Sequence, residues 1–493
     1  MNRILGTLAL ASLFLAPLAR GQEPEPAADP KKPDDKHKTE ETWFAVTGGD
    51  VYTGDGSFLR GATVLAHNGK IERIGFELDF PADTKKLDAT GYRVYPGLVA
   101  ISSSGLLGNS SSEFEDTIDP FSQRMILGLA SGITSTGVGN SAVKLERFRI
   151  AGAVLRDRIY STFSWSSRNP SGKQGLRDKF RATADYMREY RDWEEKVKKD
   201  KELKEPPKKG VDNAVLSVLR GDTIAKFNAG DRDDLLGIAR LAQDYGFRPV
   251  IDGCQEGWTV ADELGRAGAM AIVTARDRRP KDEHQVIEGG TNIQNASLLY
   301  RAGVPIAIAV QQTGVDLSGL VGRDIMGLTI EAGFAVRGGL PEAAAIASIT
   351  IVPARLLGVS HRVGSIEVGK DCDLIITDGD LLHYNTFVQW AIVDGRIAYD
   401  KQKELFFAQI RPRPEPTVAV GERKLDKGES KPEAGKDEAD KSGEEKPKEE
   451  KPKEEKPKEG REVGALATAP RLIAAPNRNG YRVGGKPVAR LTE

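Results

Sequence analysis

The chain predicts an α/β protein: a (β/α)8 TIM-like barrel with a small β-sandwich assembled from the two flanks of that barrel. Three observations carry this. Residues 96–358 alternate short apolar runs with amphipathic helical stretches, β-rich pieces lie on either side, and the alternating span of roughly 260 residues suits a barrel of ~250. A doubly wound open sheet is the rival architecture, but no Gly-rich phosphate loop supports it.

Taken in order, Met1-Asn2-Arg3 is basic, Ile4 to Leu18 is apolar, and Ala19 and Gly21 are small, which is the plan of an export signal over residues 1–21. The apolar run is shorter than the ~20 residues of a spanning helix. Export to the periplasm or the extracellular space is therefore expected, with no membrane span after signal removal. Residues 22–41 are Pro-, Asp-, Glu- and Lys-rich and read as a disordered leader; His37 within it is incidental.

Residues 42–95 form the N-terminal part of the sandwich. "WFAVTGGDVYTG" and "GATVLAHNGKIERIG" are β-rich, and Asn68-Gly69 marks a hairpin turn directly after His67, read as a strand-end residue. In the barrel span, "TIAKFNA" precedes "DRDDLLGIARLAQDYG", "RPVIDGC" precedes "WTVADELGRAG", and "VPIAIAV" precedes "RDIMGLTIEAGFAVRGG". Strand followed by helix implies parallel strands joined by crossovers. A charged helical insert at about 177–210 carries Tyr186, Tyr190 and Trp193 at helical spacing, a face expected to cover one side of the barrel or a partner subunit. Residues 359–420 return to strands with Gly/Asp turns. Residues 421–460 hold three consecutive "EEKPK" units and read as a solvated linker, and 461–493 as a short terminal segment with some apolar character.

A formal net charge of −1 and a linker whose charges nearly cancel exclude electrostatic binding of nucleic acid. Two cysteines, Cys254 and Cys372, make no disulfide framework, and sequence leaves open whether they pair.

Four stretches resemble the amidohydrolase superfamily, in its imidazolonepropionase-like branch. "GKIERIG" with "YPGLV" is similar to the approach to the first barrel strand, "ITIVPARLLGVSHRVGSIEVGKDCDLIITDGD" to the exit into the C-terminal sandwich, and "IVDGRIAYD" to the closing strand. The resemblance runs from about Trp43 to Asp400. Val352 stands where an asparagine commonly precedes the proline. The family's activity is hydrolysis of C–N bonds in cyclic amides or dipeptides, using zinc or another divalent metal held by histidines and an aspartate. Such a cation lowers the pKa of bound water to ~7 and polarises the carbonyl.

Here the matching ligand positions fall on Ser102 and Ser104, Asn228, Gly253 and Gln311. Of five histidines, only His284 lies in the barrel span, too few for an imidazole-based zinc site. No cofactor is expected. Asp252, Glu256, Glu288 and Asp316 near strand ends leave an all-oxygen Mg2+ or Ca2+ site as the alternative. Ser102 or Ser104 as nucleophile would need His284 or Lys226 as base. Cys254, set among carboxylates, reads as structural. Trp165, Asp252, Glu256, Trp258 and Gln312 are possible pocket residues, though Trp165 and Trp258 equally suit helix packing. The expectation is a ligand-binding or scaffold pseudoenzyme that takes a small molecule and pairs with a homologous amidohydrolase subunit or with itself; the alternative is a hydrolase with an oxygen-ligated metal or a metal-independent route.

Overall fold

A computed structural model describes residues 41–54, 56–107, 118–201, 203–280, 289–316, 322–404 and 406–413. The export segment, nearly all of the leader, the "EEKPK" repeat, the terminal segment, His37, His284 and Glu288 lie outside them. The described residues fall within one compact unit, Met1–Glu415.

The chain opens with β1 (Trp43–Tyr52), β2 (Phe58–His67), β3 (Lys70–Gly75), β4 (Lys85–Asp88) and β5 (Arg93–Pro96). The barrel region follows: β6 (Leu98–Ala100), α1 (Gln123–Ala130), β7 (Ile133–Val138), β8 (Ser141–Lys144), β9 (Val154–Arg156), β10 (Tyr160–Phe163), α2 (Pro170–Val197), α3 (Asn213–Arg220), β11 (Ile224–Ala229) and α4 (Arg232–Tyr245). It continues through β12 (Val250–Gly253), α5 (Ala261–Arg266), β13 (Met270–Val273), α6 (Asn295–Arg301), β14 (Ile306–Ile308), α7 (Leu328–Arg337), α8 (Glu342–Ala347) and α9 (Ile351–Leu356). Strands β15 (Leu374–Thr377), β16 (Val388–Val393) and β17 (Arg396–Asp400) close it.

The two flanks build one sheet, as expected. Its order is β17-β16-β15-β5-β1-β2-β3, with β4 on β1, so strands from both ends of the chain meet where β15 pairs antiparallel with β5. The Asn68-Gly69 turn is present, both residues at positive φ of 49° and 80°, as a two-residue hairpin requires. His67 ends β2 and stacks on Trp43 with centroids 4.1 Å apart.

Among the described residues the parallel strands lie in two sheets. β10 to β14 form one, in sequence order; β6 and β7 belong to the other, which the antiparallel β8 and β9 extend. β13 pairs directly with β14 across α6. Hydrogen bonds tie the sheets. The Asn140 carboxamide accepts from Tyr160 N and donates to Tyr160 O, and segment 348–349 receives Ile308 N and Val99 N on its carbonyls. The seam therefore runs through side-chain and loop hydrogen bonds instead of one continuous ladder.

Alternation along each strand separates a lumen from an outer layer. Val99, Ile101, Val250, Ile272 and Ala307 cluster with Leu356 and Leu357 of the α9 end in the lumen. Their neighbours Leu98, Ala100, Ile251, Ala271 and Ile308 pack outward under the helices. Helix α2 covers one side through Leu176 and Phe180, the latter stacking with Phe247 at 5.1 Å. Its aromatic face is used differently from expectation. Tyr186 donates to Glu205 and Trp193 Nε1 to the Leu203 carbonyl, so the chain beyond the helix folds back onto that face.

Cys254 and Cys372 are both buried and unpaired, in separate core clusters. No helix among the described residues is long and apolar enough to cross a membrane.

Candidate functional site at the barrel mouth

The C-terminal ends of barrel strands are where this architecture presents its chemistry. On β11 the alternation that sends Phe227 outward puts Lys226 and Asn228 on the lumen face, and on β12 it puts Asp252 above Val250. There Lys226 Nζ lies 2.9 Å from Asp252 Oδ2, with side chains 25% and 38% exposed. The ammonium also sits over the Tyr160 ring, 5.3 Å from its centre. Burial, and secondarily the Asp252 carboxylate, raises the Tyr160 pKa, so the phenol stays neutral; its hydroxyl donates to Leu356 O. Lys226 thus has two fixed neighbours, neither of them a serine.

Past the end of β6, Ser104 N donates to Thr313 O, and the Ser104 and Thr313 hydroxyls meet at 3.0 Å. This joins the end of the first barrel strand to the segment after β14. Ser103 is buried with its hydroxyl toward Gly137 O, and Ser102 is half-buried. Among the described residues neither the Ser102 nor the Ser104 hydroxyl touches a base of the kind a serine nucleophile needs, and His284 lies outside them. Gln311 continues the lumen face of Ala307 and accepts from Arg323 Nη1 at 3.3 Å; Gln312 N donates to Arg323 O. Gly253, at φ 101°, supplies only backbone at its position.

The remaining sequence candidates are structural. Trp165 is 4% exposed, and its indole fills the space left by Gly237 of α4. Trp258 donates from Nε1 to Gly290 O. Glu256 is buried with both oxygens engaged: Oε2 accepts from Arg232 N, Oε1 from Gly290 N. It ties two loops, with each carboxylate oxygen already accepting a backbone hydrogen bond. Asp316 N donates to Asp324 Oδ2, a loop contact. Burial pushes the Cys254 thiol up to about 12, which removes it as a nucleophile near neutral pH. Among the described residues the mouth is therefore polar, with the Tyr160 ring beneath Lys226 as its aromatic element.

Arg124, whose Nη1 lies over Gly105, together with Arg323 and Thr313, stands beside these strand ends and escapes sequence reading. They carry no motif, and only the fold brings α1, the end of β6 and the segment after β14 together.

Among the described residues the donor set does not fit zinc: the positions matching a metal-binding barrel present two hydroxyls, two carboxamides and a glycine, and the Asp252 carboxylate beside Gly253 is paired with an ammonium. No group of three or more His, Cys, Asp or Glu suited to a metal occurs among the described residues. A cavity of about 410 Å3 lies elsewhere, at the opposite end of β14 around Val304, Pro305 and Val352. It is nowhere near these strand ends.

The Amidohydrolase family sequence model matches residues 259–409, from just before α5 to beyond β17. Local identity reaches 36% over 73 residues with amidohydrolase tasK of Hapsidospora irregularis, covering 15% of this chain and 7% of that protein. It reaches 44% over 94 residues with urease subunit alpha of Yersinia pestis, covering 17% and 16%. The chain thus spans less than a fifth of the length of either curated relative. A solved amidohydrolase from Thermotoga maritima superposes with a TM-score of 0.55 at 23% identity, over 72% of this chain and 100% of that one. Residues 259–409 thus match the Amidohydrolase family, and most of the chain shares the fold of a solved amidohydrolase.

Proposed function

We propose that this protein is an exported, amidohydrolase-like barrel that binds a small molecule at its mouth and no longer hydrolyses through a metal centre. One observation carries the reading: the Lys226–Asp252 ion pair stands on the lumen face at the strand ends where the resemblance expects a divalent cation. A side-chain cation there supplies positive charge without a bound, activated water. A second cation beside Lys226 would meet like-charge repulsion and a single, already paired carboxylate. Export rests on the pattern of Met1 to Gly21. Association with a second copy or a homologous amidohydrolase subunit is part of the same proposal, since a binding subunit without its own hydrolytic centre acts through a partner; a local likeness to a protein named as a urease subunit points the same way.

The test is metal content after loading with Zn2+, Mn2+ or Mg2+ and desalting. The expected value is well below about 0.1 ion per chain, because a stable site needs around four good donors. About one ion per chain, lost on Asp252→Ala, would overturn the reading and favour an oxygen-ligated hydrolase.

A further inference from the structure

We infer that the barrel mouth is a receptor for an oxyanion, a carboxylate or phosphate group of a small ligand, held by Arg124 and Arg323 with the Ser104 and Thr313 hydroxyls. This deepens the proposed binding role and rests on it.

The argument begins with charge. Lys226 is neutralised by Asp252, and Arg279 nearby is engaged by Asp231 and Glu256. Arg276 is spent on Glu331, buried, at 2.6 Å. Arg124 and Arg323 differ: both are exposed, and neither has a carboxylate partner among the described residues. Arg323 makes one side-chain hydrogen bond, to the neutral Gln311, and the adjacent Asp324 carboxylate is buried and accepts from Asp316 N. Among the described residues, the charge left without an opposite partner at this end of the barrel is therefore that of Arg124 and Arg323.

Position gives the second step. Arg124 reaches from α1 across Gly105, where a β-carbon would lie 3.0 Å from its Nη1, and Gly105 stands at φ 68°. The glycine, next in sequence to Ser104, leaves the space that lets the guanidinium lie over this turn. Gly314 follows Thr313, and a β-carbon there would sit 3.2 Å from both Ser104 O and Ser104 Oγ. Two glycines thus let the loops from the first and last barrel strands approach closely enough for the two hydroxyls to meet. Hydroxyls can turn to donate, and guanidinium groups donate two parallel bonds to planar or tetrahedral oxyanions.

The substitution pattern is the third step. Ser104 and Gln311 occupy two of the positions where the resemblance expects ligands for a cation. Here one donates to an anion and the other orients an arginine. The polarity of the site is inverted, so the ligand's negative group would be held by the protein directly.

The experiment uses the full chain. Inorganic phosphate, acetate and succinate are titrated by calorimetry and by thermal shift, each against sodium chloride at matched ionic strength, and bound metal is measured on the same sample. Variants are Arg124→Gln, Arg323→Gln and, as a surface control, Arg188→Gln, whose guanidinium pairs with Asp185 on the outside of α2. The expected result is binding of phosphate or a carboxylate by metal-free protein, weakened at least about tenfold in Arg124→Gln and Arg323→Gln and unchanged in Arg188→Gln, as charged hydrogen bonds of ~1.5–3 kcal/mol imply. The phosphate and carboxylate arms distinguish the two ligand chemistries. Metal-free protein that shows no binding above the chloride control, or binding equal in all variants, overturns this inference and leaves the proposed loss of the metal centre standing. Oxyanion binding that needs loaded zinc and survives both arginine substitutions overturns both.

Discussion

Lys144 is a fully buried charge on β8, surrounded by carboxylates: Asp371 at 2.8 Å, Asp373 at 3.0 Å and Asp394 at 2.5 Å. Burial opposes its charge, but the three carboxylates outweigh that and raise its pKa. Crowding has a cost on the acid side. Burial, reinforced by the neighbouring Asp394 carboxylate, pushes Glu146, two residues on, up to about 8 from 4.5, which favours its protonated form in the folded protein. The sign follows from linkage: between 4.5 and 8 the folded state binds more protons than the unfolded one, so stability falls as pH rises through that window and levels off above it. Glu146→Gln, a neutral isostere, should remove this dependence. In urea unfolding from pH 5 to 9, wild type should lose stability relative to the variant as pH rises. A difference that stays flat across that range would show that Glu146 is ionised in the folded state.

At the scale of elements, local signals were readable wherever they sat on adjacent residues. Helix α3 is an example: Asp212 caps it by accepting from Ala214 N at 2.9 Å and Val215 N at 3.2 Å, and Gly221 ends it at φ 85°. The same carboxylate meets Lys179 of α2 at 2.9 Å, which lowers its pKa first among the causes. Asp212→Ala should therefore cost about 1–2 kcal/mol, measured by thermal or urea unfolding. Asp212→Asn should cost less, because the carboxamide oxygen still caps the helix while the ion pair is lost. The Asn68-Gly69 hairpin and the strand-helix alternation were legible for the same local reason. The antiparallel β8–β9 extension and the direct pairing of β13 with β14 were not, because such short segments carry little periodicity of their own. The aromatic face of α2 was legible as a face, but its covering by Leu203 and Glu205 depends on how the chain turns back after the helix. In the site, the degenerate ligand positions followed from the resemblance, whereas the Lys226–Asp252 pair joins neighbouring strands and needed the sheet register: Asn228 lies opposite Asp252 and Lys226 opposite Val250.

For the whole molecule, the composite sheet makes the two chain ends interdependent. β5 leads straight into the first barrel strand and is held on one side by β1 and on the other by β15, through pairs such as Val94 with Ile376. Gly97 N donates to Asp373 O at the junction, and a β-carbon at Gly97 would collide with Thr134 of β7. Ending the chain after Gly358 would delete Leu374, Ile376, Trp390 and Ile392 from the sheet's apolar core. It would also open the edge of β5, and exposed edges invite pairing between chains. More seriously, it would remove Asp371, Asp373 and Asp394 at once and leave the Lys144 ammonium buried without a counter-charge. Breaking a buried pair from one side costs ~3–5 kcal/mol, a large part of a domain's typical ~5–15 kcal/mol. The chain ended after Gly358 should therefore be insoluble or unfold without cooperativity. Adding Lys144→Met to the same truncation, which removes the stranded charge but not the open edge, should improve solubility without restoring a sharp transition. A soluble, cooperatively unfolding truncation with Lys144 intact would mean that the barrel carries its own stability and that the composite sheet is an appendage.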